Sequence, residues 1–191
     1  MNMQVLKPSR KYPQPGDIFT YRLKGRDFGY GRVVRTDCLF GGERDVILIY
    51  IYNVMSAAKL EIPELSRDGL LIPPKLINRL PWWHGYFETL CNRPLGPSDV
   101  LRIHCFSEGK RGPYVDEDRQ RLGRRSEPCG WYGLSSFRTI DSAISRALGV
   151  EPSPDTVPPP PPPEHIQERR RREWAQYVAW KRRERRKGGR Q

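Results

Sequence analysis

Six consecutive prolines, Pro158 to Pro163, constrain this chain more than any other stretch. A proline has no backbone N–H and a fixed φ, so the run can join neither a helix interior nor a sheet ladder. It settles instead into an extended rod of about 3.1 Å per residue. The ordered pattern ends just before it, at Gly149-Val150, and eight of the 19 prolines lie in residues 152–163. The chain therefore divides into a globular part (residues 1–150), a polyproline linker (residues 151–163) and a tail (residues 164–191). The linker reads as a spacer, with a ligand for SH3-type or WW-type domains as the other use of such a run.

Charge follows the same division. Residues 1–150 carry 23 basic and 16 acidic groups, and residues 164–191 carry 11 and 4, so the short tail has the same net +7 as the whole globular part. The tail lacks Gly and Pro from 164 to 187, opens on Glu164 and closes on basic residues, as a helix dipole favours. Ile166, Arg170, Trp174, Tyr177, Val178 and Lys181 share a narrow face. The expected tail is a partly helical, basic segment. Arg169, Arg170, Arg171, Arg172, Lys181, Arg182, Arg183, Arg185 and Arg186 are its candidate anion-binding residues, toward nucleic acid or an anionic membrane. A solvated extension and docking on the globular part or a partner are the other readings.

No window approaches 18 uninterrupted apolar residues, and the opening MNMQVLKPSRKYPQPG has no apolar core before a cleavage site. The cytoplasm is the expected compartment. Cys38, Cys91, Cys105 and Cys129 stand far apart without a CxxC pair, so they read as reduced and structural rather than as a zinc ribbon or a redox dithiol.

Within the globular part, strand signals dominate. Segments 18–23 and 28–35 read as a hairpin around the turn at 24–27. Residues 46–52 are apolar on both faces, which marks a central, fully covered strand. Segment 62–69 suggests a short helical turn, 72–77 an edge strand, and 86–91 and 100–106 two more strands. A helix is expected over 140–148, with Thr139 as N-cap and Gly149 as stop. The fold class is α+β and β-rich: a strongly bent antiparallel sheet or partial barrel with one packed helix near its end.

Several motifs occur in an order that resembles a known family. Gly16-Asp17-Ile18-Phe19 precedes an aromatic-glycine strand, Phe28-Gly29-Tyr30-Gly31-Arg32-Val33. The apolar strand at 46–52 follows, then Leu71-Ile72-Pro73-Pro74, and then Pro81-Trp82-Trp83-His84-Gly85-Tyr86-Phe87 ending in Asn92-Arg93-Pro94-Leu95. Over about residues 14–106 this series is similar to the immunity protein 26 family of bacterial polymorphic toxin systems. Phe87 stands where that family usually has another tryptophan, and the linker and tail are no part of its pattern. The resemblance implies a non-catalytic protein inside the cell that binds and neutralises a cognate toxin, without a cofactor.

The residues themselves assemble no enzyme. His84, His104 and His165 have no second His or paired carboxylate at ligand spacing, so no metal or catalytic base is assigned and no small-molecule substrate is expected. Gly29-Tyr30-Gly31 lacks the third glycine and the following helix of a phosphate loop. Trp82 and Trp83 on a strand would point to opposite faces, leaving one outward as an interface anchor. The candidate partner-binding set is therefore Arg22, Asp27, Tyr30, Arg32, Trp82, Trp83, His84 and Tyr86, with the hairpin charges reading as surface groups. A globular part at net +7 favours a toxin surface that is acidic or apolar. The alternative is a small SH3-like barrel that binds nucleic acid with help from the tail; deleting residues 151–191 separates the two.

Overall fold

The computed structural model describes residues 1–40, 43–110 and 112–154. Residues 155–191, and with them most of the linker and all of the tail residues named above, lie outside the described residues.

Two sheets are built from the described residues. The larger has the strand order β10-β4-β3-β2-β1-β5, made of β1 (Asp17–Arg22), β2 (Phe28–Phe40), β3 (Glu43–Ser56), β4 (Leu70–Ile77), β5 (Glu88–Asn92) and β10 (Leu134–Ser135). The smaller has the order β8-β7-β6-β9, made of β6 (Cys105–Ser107), β7 (Tyr114–Val115), β8 (Arg121–Leu122) and β9 (Cys129–Trp131). Two helices complete it, α1 (Leu80–Trp83) and α2 (Phe137–Ala147).

The central strand is where the sequence places it. Ile47, Ile49 and Ile51 of β3 pack with Trp82, Phe87 and, from α2, Ile140 and Ile144. On the other face Leu48, Tyr50 and Tyr52 pack with Phe106 and Val115 of the smaller sheet. An apolar run on both faces is what a strand between two layers needs, since each face buries apolar area at roughly 25 cal/mol per Å².

The hairpin glycines are spacers for aromatic rings. Phe19 is the cross-strand partner of Gly31, and Tyr21 of Gly29. A β-carbon at Gly31 would overlap the Phe19 ring and stand 2.7 Å from the Tyr50 carbonyl oxygen. Phe19 is thereby free to stack on Phe87, with ring centroids 4.3 Å apart. Tyr21 is fully buried, and its hydroxyl has no hydrogen-bond partner among the described residues. Burial holds that phenol far above its ordinary pKa. Tyr21→Phe removes an unpaired buried hydroxyl and keeps the ring, so it is expected to raise stability by about 0.5–1 kcal/mol; urea unfolding measures it, and a loss of stability would reveal a partner for the hydroxyl.

Several expectations are corrected. The sheets are mixed rather than antiparallel: β10 runs parallel to β4, pairing Leu134 with Leu76, and β9 runs parallel to β6. A parallel neighbour needs a long return, and the excursion through α1, β5 and the whole smaller sheet supplies it. Neither sheet is closed into a barrel. The second hairpin strand runs on to Phe40, well past residue 35. Segment 62–69 contains turns and no helix, and of 100–106 only Cys105 and Phe106 are in a strand. The late helix starts earlier than its apolar spacing suggests. Ser136, not Thr139, is its N-cap, its hydroxyl accepting from the Thr139 N–H at 3.2 Å. Gly149 follows with φ +68°, as a helix stop requires.

The first residues are tied to that helix. Asp141, fully buried, accepts from the backbone N–H of Met3 at 2.6 Å and of Asn2 at 3.1 Å. Met3 also bridges Leu23 at the foot of the hairpin. From there the chain runs as a strap across α1, where Leu6 N–H donates to Gly85 O at 2.7 Å and Ser9 N–H to Trp82 O at 2.9 Å. Among the described residues no helix is long and apolar enough to cross a membrane.

Candidate partner-binding face

Trp82 and Trp83 lie on a helical turn, not on a strand. Pro81 sits in the first turn of α1, where its missing N–H costs nothing and its fixed φ suits the helix. Successive residues of a helix diverge by about 100°, which parts the two rings as alternation on a strand would. Trp82 points inward at 1 % exposure, its indole N–H donating to Thr89 Oγ1 at 3.1 Å and its ring edge-on to Phe19 and Phe87. Trp83 points outward and is 45 % exposed.

The strap and the following turn fix the surroundings of Trp83. Gly85 has φ +78°, and a β-carbon there would stand 2.7 Å from the Pro8 nitrogen, so only glycine lets the strap lie this close. The Arg79 guanidinium sits 5.1 Å from the Trp83 ring centroid, a cation–π distance. Together with Ser9 and Arg10 these two side chains line a surface cavity of about 270 Å³. Beside it His84, Tyr86 and Phe137 form an aromatic row, with Tyr86 stacked on Phe137 at 5.3 Å and His84 5.2 Å from Phe137.

The two segments that supply Arg10, Arg79 and Trp83 carry charge of one sign. Residues 1–16 contain Lys7, Arg10 and Lys11 and no carboxylate, and residues 69–87 contain Lys75 and Arg79 and none either. Lys7, Arg10, Lys11 and Arg79 are exposed, and none is in an ion pair among the described residues. An exposed indole beside uncompensated guanidinium groups suits a partner that brings carboxylates next to apolar surface.

The residues singled out from the sequence separate into three groups. Trp83 and His84 are exposed and Tyr86 is half-buried at this face. Arg22 and Asp27 lie at the hairpin end of the strap, Arg22 with its guanidinium 4.7 Å over the Phe28 ring and its Nε donating to Arg26 O. Tyr30, Arg32 and Trp82 are buried and unavailable to a partner. Tyr30 and Arg32 share the face of β2 opposite to Gly29 and Gly31, and loops cover that face. The Tyr30 hydroxyl reaches the carbonyls at 58, 59 and 61. Arg32 is no surface charge: at 5 % exposure it pairs with Asp99 at 2.9 Å and donates to the carbonyls of Arg93 and Pro94, clamping that loop to the sheet. Arg10, Arg79 and Phe137 also stand at the exposed face, and no spacing in the sequence signals it, because they reach it from three separate segments.

A second polar cluster was equally hidden in the sequence. His104 Nδ1 is 2.9 Å from Glu117 Oε2, and its Nε2 is 2.5 Å from the Tyr50 hydroxyl. Glu117 Oε1 accepts from Arg35, which also pairs with Asp37 and Asp118. The His104 ring thus lies between the Glu117 carboxylate at Nδ1 and the Tyr50 hydroxyl at Nε2, and Leu101 N–H donates to the same hydroxyl at 3.0 Å. Burial alone would push the Glu117 carboxyl up; the His104 ring and Arg35 outweigh it and hold the group at about 2. A cavity of about 390 Å³ adjoins the cluster, between Val34, Ile103, Asp116 and Leu122. Both imidazole nitrogens are occupied, Tyr50 is fully buried and His104 nearly so, so the cluster braces β2, β3 and the β7–β8 turn against one another. No group of three or more potential metal-ligating side chains occurs among the described residues.

The family model described as immunity protein 26 matches residues 14–111. That span covers β1 to β6, α1 with Trp83, and the Arg32 clamp. No curated protein and no solved structure matches the chain.

Proposed function

The chain belongs to the immunity protein 26 family, and from that premise we propose that its globular part, residues 1–150, binds a cognate toxin and neutralises it by stoichiometric occlusion in the cytoplasm. Neither a cofactor nor a small-molecule substrate takes part. The observation that carries this reading is the exposed face around Trp83, where an indole stacked under Arg79 stands among unpaired cations. The partner surface it fits is acidic with apolar ground between the charges. Residues 164–191 supply a salt-sensitive attraction to phosphates that is separate from toxin binding.

The test is coexpression with the toxin domain encoded in the neighbouring reading frame. Growth should be restored, and the two proteins should elute as an equimolar complex. The truncation that separates domain from tail must fall after residue 154, because Glu151 O and Ser153 Oγ hold Asn2 and the Met1 ammonium. A chain ending at 154 is expected to protect as well as the full length. Absence of a complex and of protection in both forms sinks the proposal, and protection that is lost when the tail is removed would favour a nucleic-acid role.

A further inference from the structure

The smaller sheet brings together two cysteines that are 24 residues apart in the chain. Because β9 returns parallel to β6, Cys105 and Cys129 are direct register partners, and their sulfurs touch at 2.8 Å as free thiols. The sequence pattern, with no CxxC, argues against a dithiol; the parallel return creates one. Neighbouring strands stand roughly 4.8 Å apart, within the roughly 4.4–6.8 Å that a disulfide spans between α-carbons. Cys38 and Cys91 make no sulfur–sulfur contact among the described residues, so the pairing is specific. Cys105 is fully buried, whereas Cys129 is partly open to solvent.

We propose that Cys105 and Cys129 are an oxidative modification site, forming a reversible disulfide that staples β6 to β9. The co-reactant is a small-molecule disulfide of the oxidised glutathione class. The Cys129 thiol loses its proton and attacks one sulfur of that disulfide, forming a mixed disulfide and releasing one reduced thiol. Cys105 then loses its proton and attacks Cys129 Sγ, closing the protein disulfide and releasing the second thiol. Two protein thiols are oxidised and one external disulfide is reduced to two thiols, so atoms and electrons balance.

Burial and the neighbouring Cys105 push the Cys129 thiol up to about 12. Little thiolate is present near neutrality, so closure is slow, and a thiol of this kind is also a poor leaving group once bonded. The site therefore acts as a slow, durable staple rather than a rapid sensor. The loop it closes contains β7, β8 and Glu117, so it secures the layer that covers one face of β3.

The experiment incubates the folded full chain with oxidised glutathione for hours and follows intact mass and thiol count. Expected are a loss of about 2 Da, two of four thiols remaining, a peptide joining Cys105 to Cys129, and a melting midpoint higher by about 5–10 °C. Cys129→Ser should show neither the mass loss nor the midpoint shift, whereas the Cys38→Ser, Cys91→Ser double variant should show both. Four thiols persisting in the folded protein, a stable glutathione adduct that never closes, or a bridge to Cys38 or Cys91 would each overturn the assignment.

Discussion

Trp83→Ala is expected to weaken the complex with the cognate toxin about thirtyfold while the melting midpoint moves by only a few degrees. An interface tryptophan that anchors a desolvated contact is worth about 2 kcal/mol or more on truncation, and about 1.4 kcal/mol corresponds to a tenfold change in affinity. At 45 % exposure the ring contributes little to the domain's own core. Combining it with Arg79→Glu sets a carboxylate where the proposed partner presents its own, and like charges across an interface cost several kcal/mol more. Its neighbour is the control. Trp82→Ala empties a buried site packed against Phe19 and Phe87 and leaves Thr89 Oγ1 without its donor, so it is expected to cost about 3–5 kcal/mol of stability. Titration calorimetry with the toxin domain and thermal unfolding separate the two outcomes. Equal affinity for Trp83→Ala and wild type would remove this face from the interface.

The second large effect lies in the Tyr50–His104–Glu117–Arg35 cluster. Folding lowers the Glu117 carboxyl from an ordinary 4.5 to about 2. As pH falls the unfolded chain therefore takes up this proton first. The stabilisation is complete above about 4.5 and is lost between there and about 2, amounting to about 2–3 kcal/mol after allowance for partial solvent screening. Glu117→Gln keeps the shape and removes the charge, leaving Arg35 and His104 Nδ1 facing a neutral amide. At pH 7 it is expected to be about 2–3 kcal/mol less stable than wild type, and the difference should shrink towards pH 2–3. Urea unfolding at pH 7, 5 and 3 measures both curves. A variant that follows wild type with a constant offset would place the acid sensitivity elsewhere.

What could be read from the sequence was mostly local. The β3 run is apolar at every position, and a period that fits both faces admits one location, between two layers. Glycines two apart in β2 declare a close approach, and the rings they admit are their direct strand partners. One tryptophan faces inward and one outward for a reason other than strand alternation, because Pro81 starts a helical turn within a run of strand-forming aromatics. Arg32 looked like a surface charge since nothing near it in the chain predicts that residues 93–99 fold over it. His104 and Glu117 are 13 residues apart, and Tyr50 is 54 residues from His104, so no spacing rule could pair them. Cys105 and Cys129 likewise meet only through a parallel return that short strands of two or three residues barely announce. Long-range charge pairing and parallel topology are decided by the assembled layers, and one segment's periodicity carries neither.

The contacts that tie Met1 to Ser153 and Asn2 to Asp141 and Glu151 bring the two ends of the described fold side by side. Topologically the domain is then nearly a ring, and the point at which the polypeptide is open is incidental to its core. A circular permutant that joins residue 154 to residue 1 through a short bridge, and is cut at an exposed turn such as 24–27, would keep every layer described above. It would also detach the tail's point of departure from the domain's own chain order.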